Sequence, residues 1–190
     1  MQVDEVKQFY LVGGTALALH LGHRKSFDLD FFIHTDFNSE HVAQKLQREF
    51  HAKNIETGKN LVRCVVSKVK LEFISHQYPL LEKVQEANSI RIANVKDLSA
   101  FKINAIVNRG AKKDFWDLAV LLEHLELSQI LDFYSTKYKN HNLWQVEKSL
   151  CYFKDADEEL TEIISLTDLN WETVKHKISE QMKKHFKDYL

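Results

Sequence analysis

The stretch Phe9-Tyr10-Leu11-Val12-Gly13-Gly14-Thr15, answered thirteen residues later by Asp28-Leu29-Asp30, decides how the first half of the chain is read. Residues 9–12 form an apolar run of strand character that stops at a glycine pair. Thr15 is placed to cap a short helix over residues 16–21, which Gly22 ends. Two glycines between a strand and a helix allow backbone N–H groups to approach an anion, and the helix dipole favours one there. Alone, such a pair is far more often a tight turn. Residues 27–33 alternate or run apolar, as a half-buried strand does. On a strand, residues i and i+2 share a face, so Asp28 and Asp30 project together while Phe27, Leu29 and Phe31 turn to the core. Neighbouring carboxylates repel each other, which is tolerable in solvent or around a cation. Hard oxygen donors favour Mg2+, which commonly shares its shell with substrate phosphates. An isolated Asp-x-Asp is more commonly the polar face of an ordinary strand.

Outward from this stretch, Asn38 or Ser39 caps an amphipathic helix that runs to Phe50. Residues 61–66 and 69–74 read as strands joined by Ser67-Lys68, short enough for a hairpin although it lacks the Asn-Gly signal. Glu72 sits in the second of these strands and supplies a third acid. Facing solvent, or pairing with Lys70 on its own face, is its bland alternative. Pro79 closes the region, and residues 90–92 add one more short strand.

From Asn94 the pattern turns helical. Asn94 is an N-cap with Asp97 in the first turn, and Leu98, Phe101, Ala105 and Ile106 recur at helical spacing. Gly110 breaks that helix, and further helices are expected over residues 114–125, 128–138, 143–152 and 170–190. The fold class is therefore α+β, a mixed sheet with flanking helices over residues 1–93 and a helical domain over 94–190. Lys102 and Arg109 lie seven residues apart, two turns along one face. Together with Lys113 they suit a polyphosphate, while Asp114 and Asp117, three apart, can share a face. Basic residues on a solvated face and acids near a helix start are the ordinary alternatives. Phe115, Trp116, Leu118 and Leu122 read as core.

The net charge of −1 conceals an uneven distribution. Residues 61–113 carry ten Lys/Arg against four Asp/Glu, whereas residues 114–190 carry nine against fifteen. A basic middle in a near-neutral chain suggests a localised anion site rather than a surface coated for nucleic acid. No apolar run approaches the ~20 residues that cross a bilayer. The start, Met1-Gln2-Val3-Asp4-Glu5, lacks the basic and apolar regions of a signal peptide. Cys64 and Cys151 form no CxxC pair, which disfavours a zinc site or a disulfide framework and leaves the cytoplasm as the default compartment. Ten histidines include no HxxxH or HxH pair, which disfavours a histidine-based metal hydrolase, and His20 and His23 read equally well as surface residues.

Taken in order, Gly13-Gly14-Thr15, Arg24-x-Ser26-x-Asp28-x-Asp30, Glu72 and the series Lys102…Arg109…Lys113-Asp114-x-x-Asp117 resemble the AbiEii/AbiGii-type toxin family. That family is a branch of the polymerase-β-like nucleotidyltransferase superfamily, and the ordered set is much more specific than any one motif. The resemblance implies a nucleotidyltransferase-like sheet whose active site the helical domain completes. It implies that Asp28 and Asp30 coordinate Mg2+ (or Mn2+) with Glu72 as third ligand. It further implies that Gly13, Gly14 and Thr15, with Arg24, Ser26, Arg109 and Lys113, hold a nucleoside triphosphate. Lys102 contacts phosphate, and at least one of Asp114 and Asp117 lies in the site. The implied activity moves a nucleoside monophosphate to an acceptor hydroxyl, with RNA at the 3′ end of tRNA as the favoured acceptor. The setting is a toxin–antitoxin or phage-defence system with a cognate antitoxin. The chain departs from the pattern in carrying Glu72 where Asp is common and in being short. A small-molecule or protein acceptor stays open, as does a non-catalytic regulator that binds nucleotide or a partner.

Overall fold

The computed structural model describes residues 5–139 and 142–187. The acidic start at residues 1–4 and the last three residues of the expected C-terminal helix lie outside the described residues. The chain builds a seven-stranded mixed sheet in the order β3-β4-β5-β2-β1-β7-β6. Its strands are β1 (Tyr10–Val12), β2 (Leu29–Ile33), β3 (Lys53–Gly58), β4 (Leu61–Val66), β5 (Val69–Ser75), β6 (Gln85–Ala87) and β7 (Ile90–Ile92). β1 runs antiparallel to β2 and parallel to β7, while β2 runs parallel to β5. The register places Asp30 beside Val12 on one side and beside Glu72 on the other.

The helices are α1 (Gly13–Leu21), α2 (Ser39–Phe50), α3 (Val95–Asn108), α4 (Lys112–Leu121), α5 (Leu127–Lys137), α6 (Leu143–Leu150), α7 (Lys154–Glu158) and α8 (Trp171–Lys187). Asn38 caps α2 by accepting from His41 N at 3.0 Å, and Asn94 caps α3 by accepting from Lys96 N at 3.1 Å. α2 lays Val42, Ala43 and Leu46 against one face of the sheet, closing a core with Phe9, Ile33, Val62 and Phe73. The opposite face meets the larger core, in which Leu11, Leu17, Ile92 and Ala93 join residues of α3, α4, α5 and α8. The sheet ends and α3 begins at the boundary expected near residue 93, yet the larger core continues across it.

Several local expectations change. Thr15 is the third residue of α1 and not its cap: Val12 is the N-cap, and no side chain caps there. Phe27 is 65% exposed and precedes the strand, so it does not reach the core. Asp28 likewise stands just before β2 and not within it. Ser67 and Lys68 both take positive φ (49° and 70°), as a type I′ hairpin requires, without the usual Asn-Gly. α4 starts at Lys112 and ends at Leu121, four residues earlier than its pattern suggested. Residues 114–121 of α4 are all buried, and a helix enclosed on every side shows no polar face to mark its limits. His23, read equally well as a surface residue, is fully buried.

Candidate active site

β1 and β2 lie side by side where β1 turns into α1, and this corner positions the acids. Gly13 takes φ +69°, and a Cβ there would stand 2.1 Å from Asp30 Oδ2. Gly14 is constrained by space and not by φ: a Cβ there would stand 2.3 Å from Nη2 of Arg24, whose guanidinium Asp117 holds in place. The glycine pair is thus required by the approach of an acid on one side and a base on the other. Thr15 points elsewhere: its hydroxyl donates to the Asp28 carbonyl and ties the start of β2 to α1.

The corner opens into a cleft of about 450 Å3. Ten of the thirteen residues singled out in the sequence line it: Gly13, Gly14, Arg24, Ser26, Asp28, Asp30, Glu72, Lys102, Arg109 and Lys113. Thr15, Asp114 and Asp117 do not. The wall also contains Asn54, Glu56, Arg63 and Lys70, which sequence reasoning did not assign to the site. Their only sequence signal is the alternation of β4 and β5, which puts Arg63 opposite Glu72 and Lys70 two residues from it. Six basic side chains face four acidic ones, and five of the six come from the basic middle segment.

Behind the wall lies a buried charge lattice. Asp117 Oδ1 accepts from Arg24 Nε at 2.6 Å and from His23 Nε2 at 2.7 Å. Its Oδ2 accepts from Arg24 Nη2 at 2.9 Å and pairs with Lys102 Nζ at 2.6 Å. Asp114 pairs with Lys102 Nζ at 3.1 Å and takes a two-pronged contact from Arg109 at 2.8 and 3.0 Å. Both aspartates are fully buried. The resemblance puts at least one of them in the site, and the structure sets both one layer back, bonded to the bases that reach the cleft. Burial pushes the Asp117 carboxyl up, but Lys102, His23 and Arg24 outweigh it and hold it well below the usual carboxylate range. Burial likewise opposes the charge on Lys102, and Asp117 and Asp114 more than offset that effect. Lys102 and Arg109 therefore stay charged, and with Arg24 they are held at the cleft wall by Asp114 and Asp117.

The acids are held differently. Burial pushes the Asp30 carboxyl up, and the Glu72 charge adds to this, against Lys102 and with a smaller push from Asp28. A hard divalent cation would relieve this crowding of carboxylate oxygens, so the donor chemistry fits one. Glu72 does not pair with Lys70; it accepts from Arg63 Nε across the β4–β5 ladder. Among the described residues no three His, Cys, Asp or Glu side chains are gathered closely enough to hold a metal by themselves. The donors thus fit as an aspartate pair with Glu72 alongside, rather than as a closed protein cage. Cys64 and Cys151 are both free thiols, and no helix among the described residues is long and apolar enough to cross a membrane.

The fold resembles the crystal structure of a Helicobacter pylori protein assigned as a nucleotidyltransferase, with a TM-score of 0.59 at 20% identity over 95% of this chain and 87% of that one. It also resembles MenT4, the nucleotidyltransferase toxin Rv2826c of Mycobacterium tuberculosis H37Rv, with a TM-score of 0.54 at 12% identity over 93% and 74% of the two chains. At these identities the likeness is one of fold. An uncharacterized protein of Aquifex aeolicus (strain VF5) is 36% identical over 188 residues, 96% of this chain and 88% of its own length. The fold is therefore the one found in these nucleotidyltransferase structures. The model of the nucleotidyltransferase AbiEii toxin family, of type IV toxin–antitoxin systems, matches residues 1–190, and the chain belongs to that family.

Proposed function

We propose that the cleft binds a nucleoside triphosphate with Mg2+ and transfers its nucleoside monophosphate to an acceptor hydroxyl, with pyrophosphate leaving. The observation that carries this reading is the opposition, in one cleft, of an Asp28/Asp30/Glu72 corner to a wall of fixed bases. Arg24, Lys102 and Arg109, locked by Asp114 and Asp117, hold the triphosphate and offset charge on the departing pyrophosphate, and Lys113 and the Gly13–Gly14 corner add to this. Because these groups are already oriented, little reorganisation accompanies the reaction. Asp28 and Asp30 would hold the metal, and Glu72, engaged by Arg63 beside Asp30, would add negative charge next to it without completing a protein triad. Bound there, Mg2+ polarises phosphoryl oxygens and neutralises developing charge, and Mn2+ offers the same donor preference. Asp114 and Asp117 act as positioning residues for the bases.

For the acceptor we favour RNA, specifically the 3′ end of tRNA, with a cognate antitoxin as the regulatory counterpart in a phage-defence setting in the cytoplasm. The excess of bases in the cleft suits a phosphate backbone, and RNA binding through it weakens as salt rises. The test is incubation of the protein with Mg2+, each labelled nucleoside triphosphate in turn and total tRNA, beside an Asp28→Ala/Asp30→Ala variant. Label entering tRNA with the wild type alone supports the reading and identifies the nucleotide. A folded double variant with full activity sinks the assignment of the acids. Absence of label from tRNA moves the acceptor to a protein or a small molecule.

A further inference from the structure

A second chamber of about 260 Å3 opens from the cleft on the far side of Asp30, sharing Gly13, Asp30, Glu72, Lys102 and Arg109 with it. Its character is different. Strand periodicity carries each acid to a non-acidic neighbour on the same face: Asp30 to Phe32 along β2, and Glu72 to Ile74 and His76 along and beyond β5. Two residues of strand advance about 6.5 Å, roughly the reach of one ribose from a phosphate. From above, α3 presents Phe101, Asn104, Ala105 and Asn108, the i, i+3, i+4, i+7 stripe of one helix face. The chamber is therefore walled by rings and edged by two amides. Phe32 stacks on His76 with centroids 4.8 Å apart and meets Phe101 edge-on at 5.3 Å, while Tyr138 closes the end.

From this juxtaposition we infer that the chamber is a nucleobase pocket: it takes one planar heteroaromatic ring, stacked on the aromatic wall and hydrogen-bonded by the Asn104 and Asn108 amides. The inference rests on the proposed phosphate site, because the chamber is one sugar's length from the acids. A ring offers a π-face to aromatic side chains, and amides match the donors and acceptors on base edges. Asn108 Nδ2 donates to the Asn104 carbonyl and to Asn104 Oδ1 (2.7 and 3.2 Å), so the two amides are tied together before any base arrives. Burial, with Lys137 and His34 nearby, lowers the His76 pKa to about 4, so that ring stays neutral at neutral pH. The chamber thus differs from the phosphate cleft in polarity as well as in shape.

The base can belong to the incoming nucleotide or to the terminal residue of the acceptor, and affinity measurements separate the two. The probes are inorganic triphosphate, the four nucleoside triphosphates and a short single-stranded RNA with a free 3′ hydroxyl. They are titrated against wild type, Phe101→Leu, Phe101→Tyr and Asn104→Ala, each checked for a cooperative thermal transition. Phe101→Leu removes a ring from the aromatic wall and keeps apolar bulk, Phe101→Tyr restores the ring, and Asn104→Ala removes an amide without touching the aromatic packing. We expect Phe101→Leu and Asn104→Ala to bind inorganic triphosphate as wild type does and to bind a base-bearing probe about tenfold more weakly, with Phe101→Tyr near wild type. Loss confined to nucleoside triphosphates assigns the pocket to the incoming base, and loss confined to RNA assigns it to the acceptor. Unchanged affinity for every base-bearing probe in folded Phe101→Leu and Asn104→Ala overturns the pocket while leaving the phosphate site standing. A wild type that fails to bind inorganic triphosphate overturns the phosphate site, and one that also binds no base-bearing probe overturns both.

Discussion

Single residues at the acidic corner are constrained from both sides, and the constraint is visible in what a methyl group would meet. Gly13→Ala places a Cβ at φ +69° and 2.1 Å from Asp30 Oδ2. The left-handed backbone alone costs about 1–2 kcal/mol for a residue with a Cβ. The overlap then displaces the carboxylate proposed to hold metal. We expect Gly13→Ala to lower the melting temperature modestly and to cut nucleotide transfer by roughly 100-fold or more, since a misplacement near 1 Å has that effect. A variant with wild-type activity would mean that Asp30 has no fixed place in the chemistry. Asp117 is a different kind of residue, because its carboxylate meets His23, Arg24 and Lys102 inside the protein. Asp117→Ala strands buried cations and should cost about 3–5 kcal/mol in chemical denaturation. Loss below 1 kcal/mol would show that water or a neighbour compensates. The Lys-Asp-x-x-Asp spacing made this pair legible as a unit. What the sequence could not show was depth, because a helix face that meets ligand and one that meets lysine carry the same letters.

Elements were legible in proportion to how much they bury. β1, β2, β4 and β5 have apolar alternation because they lie between two layers, and their acids stand out against it. β3, the edge strand Lys53–Gly58, was not visible: Ile55 is its one partly buried side chain, and a register irregularity lies between Lys53 and Glu56. Its contribution to the cleft, Asn54 and Glu56, was hidden with it. β6 and the five-residue α7 were missed for the same reason, being short and largely exposed. Just past β5 the chain reaches His76, which packs on Phe32 and lies 3.1 Å from the Tyr138 hydroxyl through Nε2. The unfolded chain takes up this proton near pH 6.5, and the folded chain only near 4. Unfolding therefore binds a proton between these values, and stability falls as the pH drops from 6.5 to 4, then levels off. Allowing for partial exposure of the ring, the loss is about 2 kcal/mol. Denaturant titrations at pH 7 and pH 4 should show this slope in wild type and a shallower one in His76→Phe, which keeps the stack with Phe32. Identical slopes would remove His76 from the account.

At the scale of the whole molecule, the two halves read from the sequence differ in composition yet share their interior. The last strand, β7, ends at Ile92 and α3 begins at Val95, and the cleft is assembled across this point: Asp28, Asp30 and Glu72 come from before it, and Lys102, Arg109 and Lys113 from after it. The lattice spans it too, since Asp117 of α4 binds His23 and Arg24 from the segment after α1. α1 packs on α3 and α4, and Leu11, Val12, Ala16 and Leu17 lie in the same buried cluster as Leu98, Ile103, Phe115 and Leu118. Separating the halves would expose that cluster and leave Arg24 without its carboxylate. Exposed apolar area costs about 25 cal/mol per Å2, and net stabilities of domains are only about 5–15 kcal/mol, so neither piece has stability to spare. We therefore expect the full chain to unfold in one transition by circular dichroism and by tryptophan fluorescence, all three tryptophans lying in the second half. A fragment of residues 1–93 should show no cooperative melt and should bind 8-anilinonaphthalene sulfonate strongly. Two separated transitions, or a fragment that melts cooperatively, would make the sheet an independent domain and the lattice a docking contact rather than part of one core.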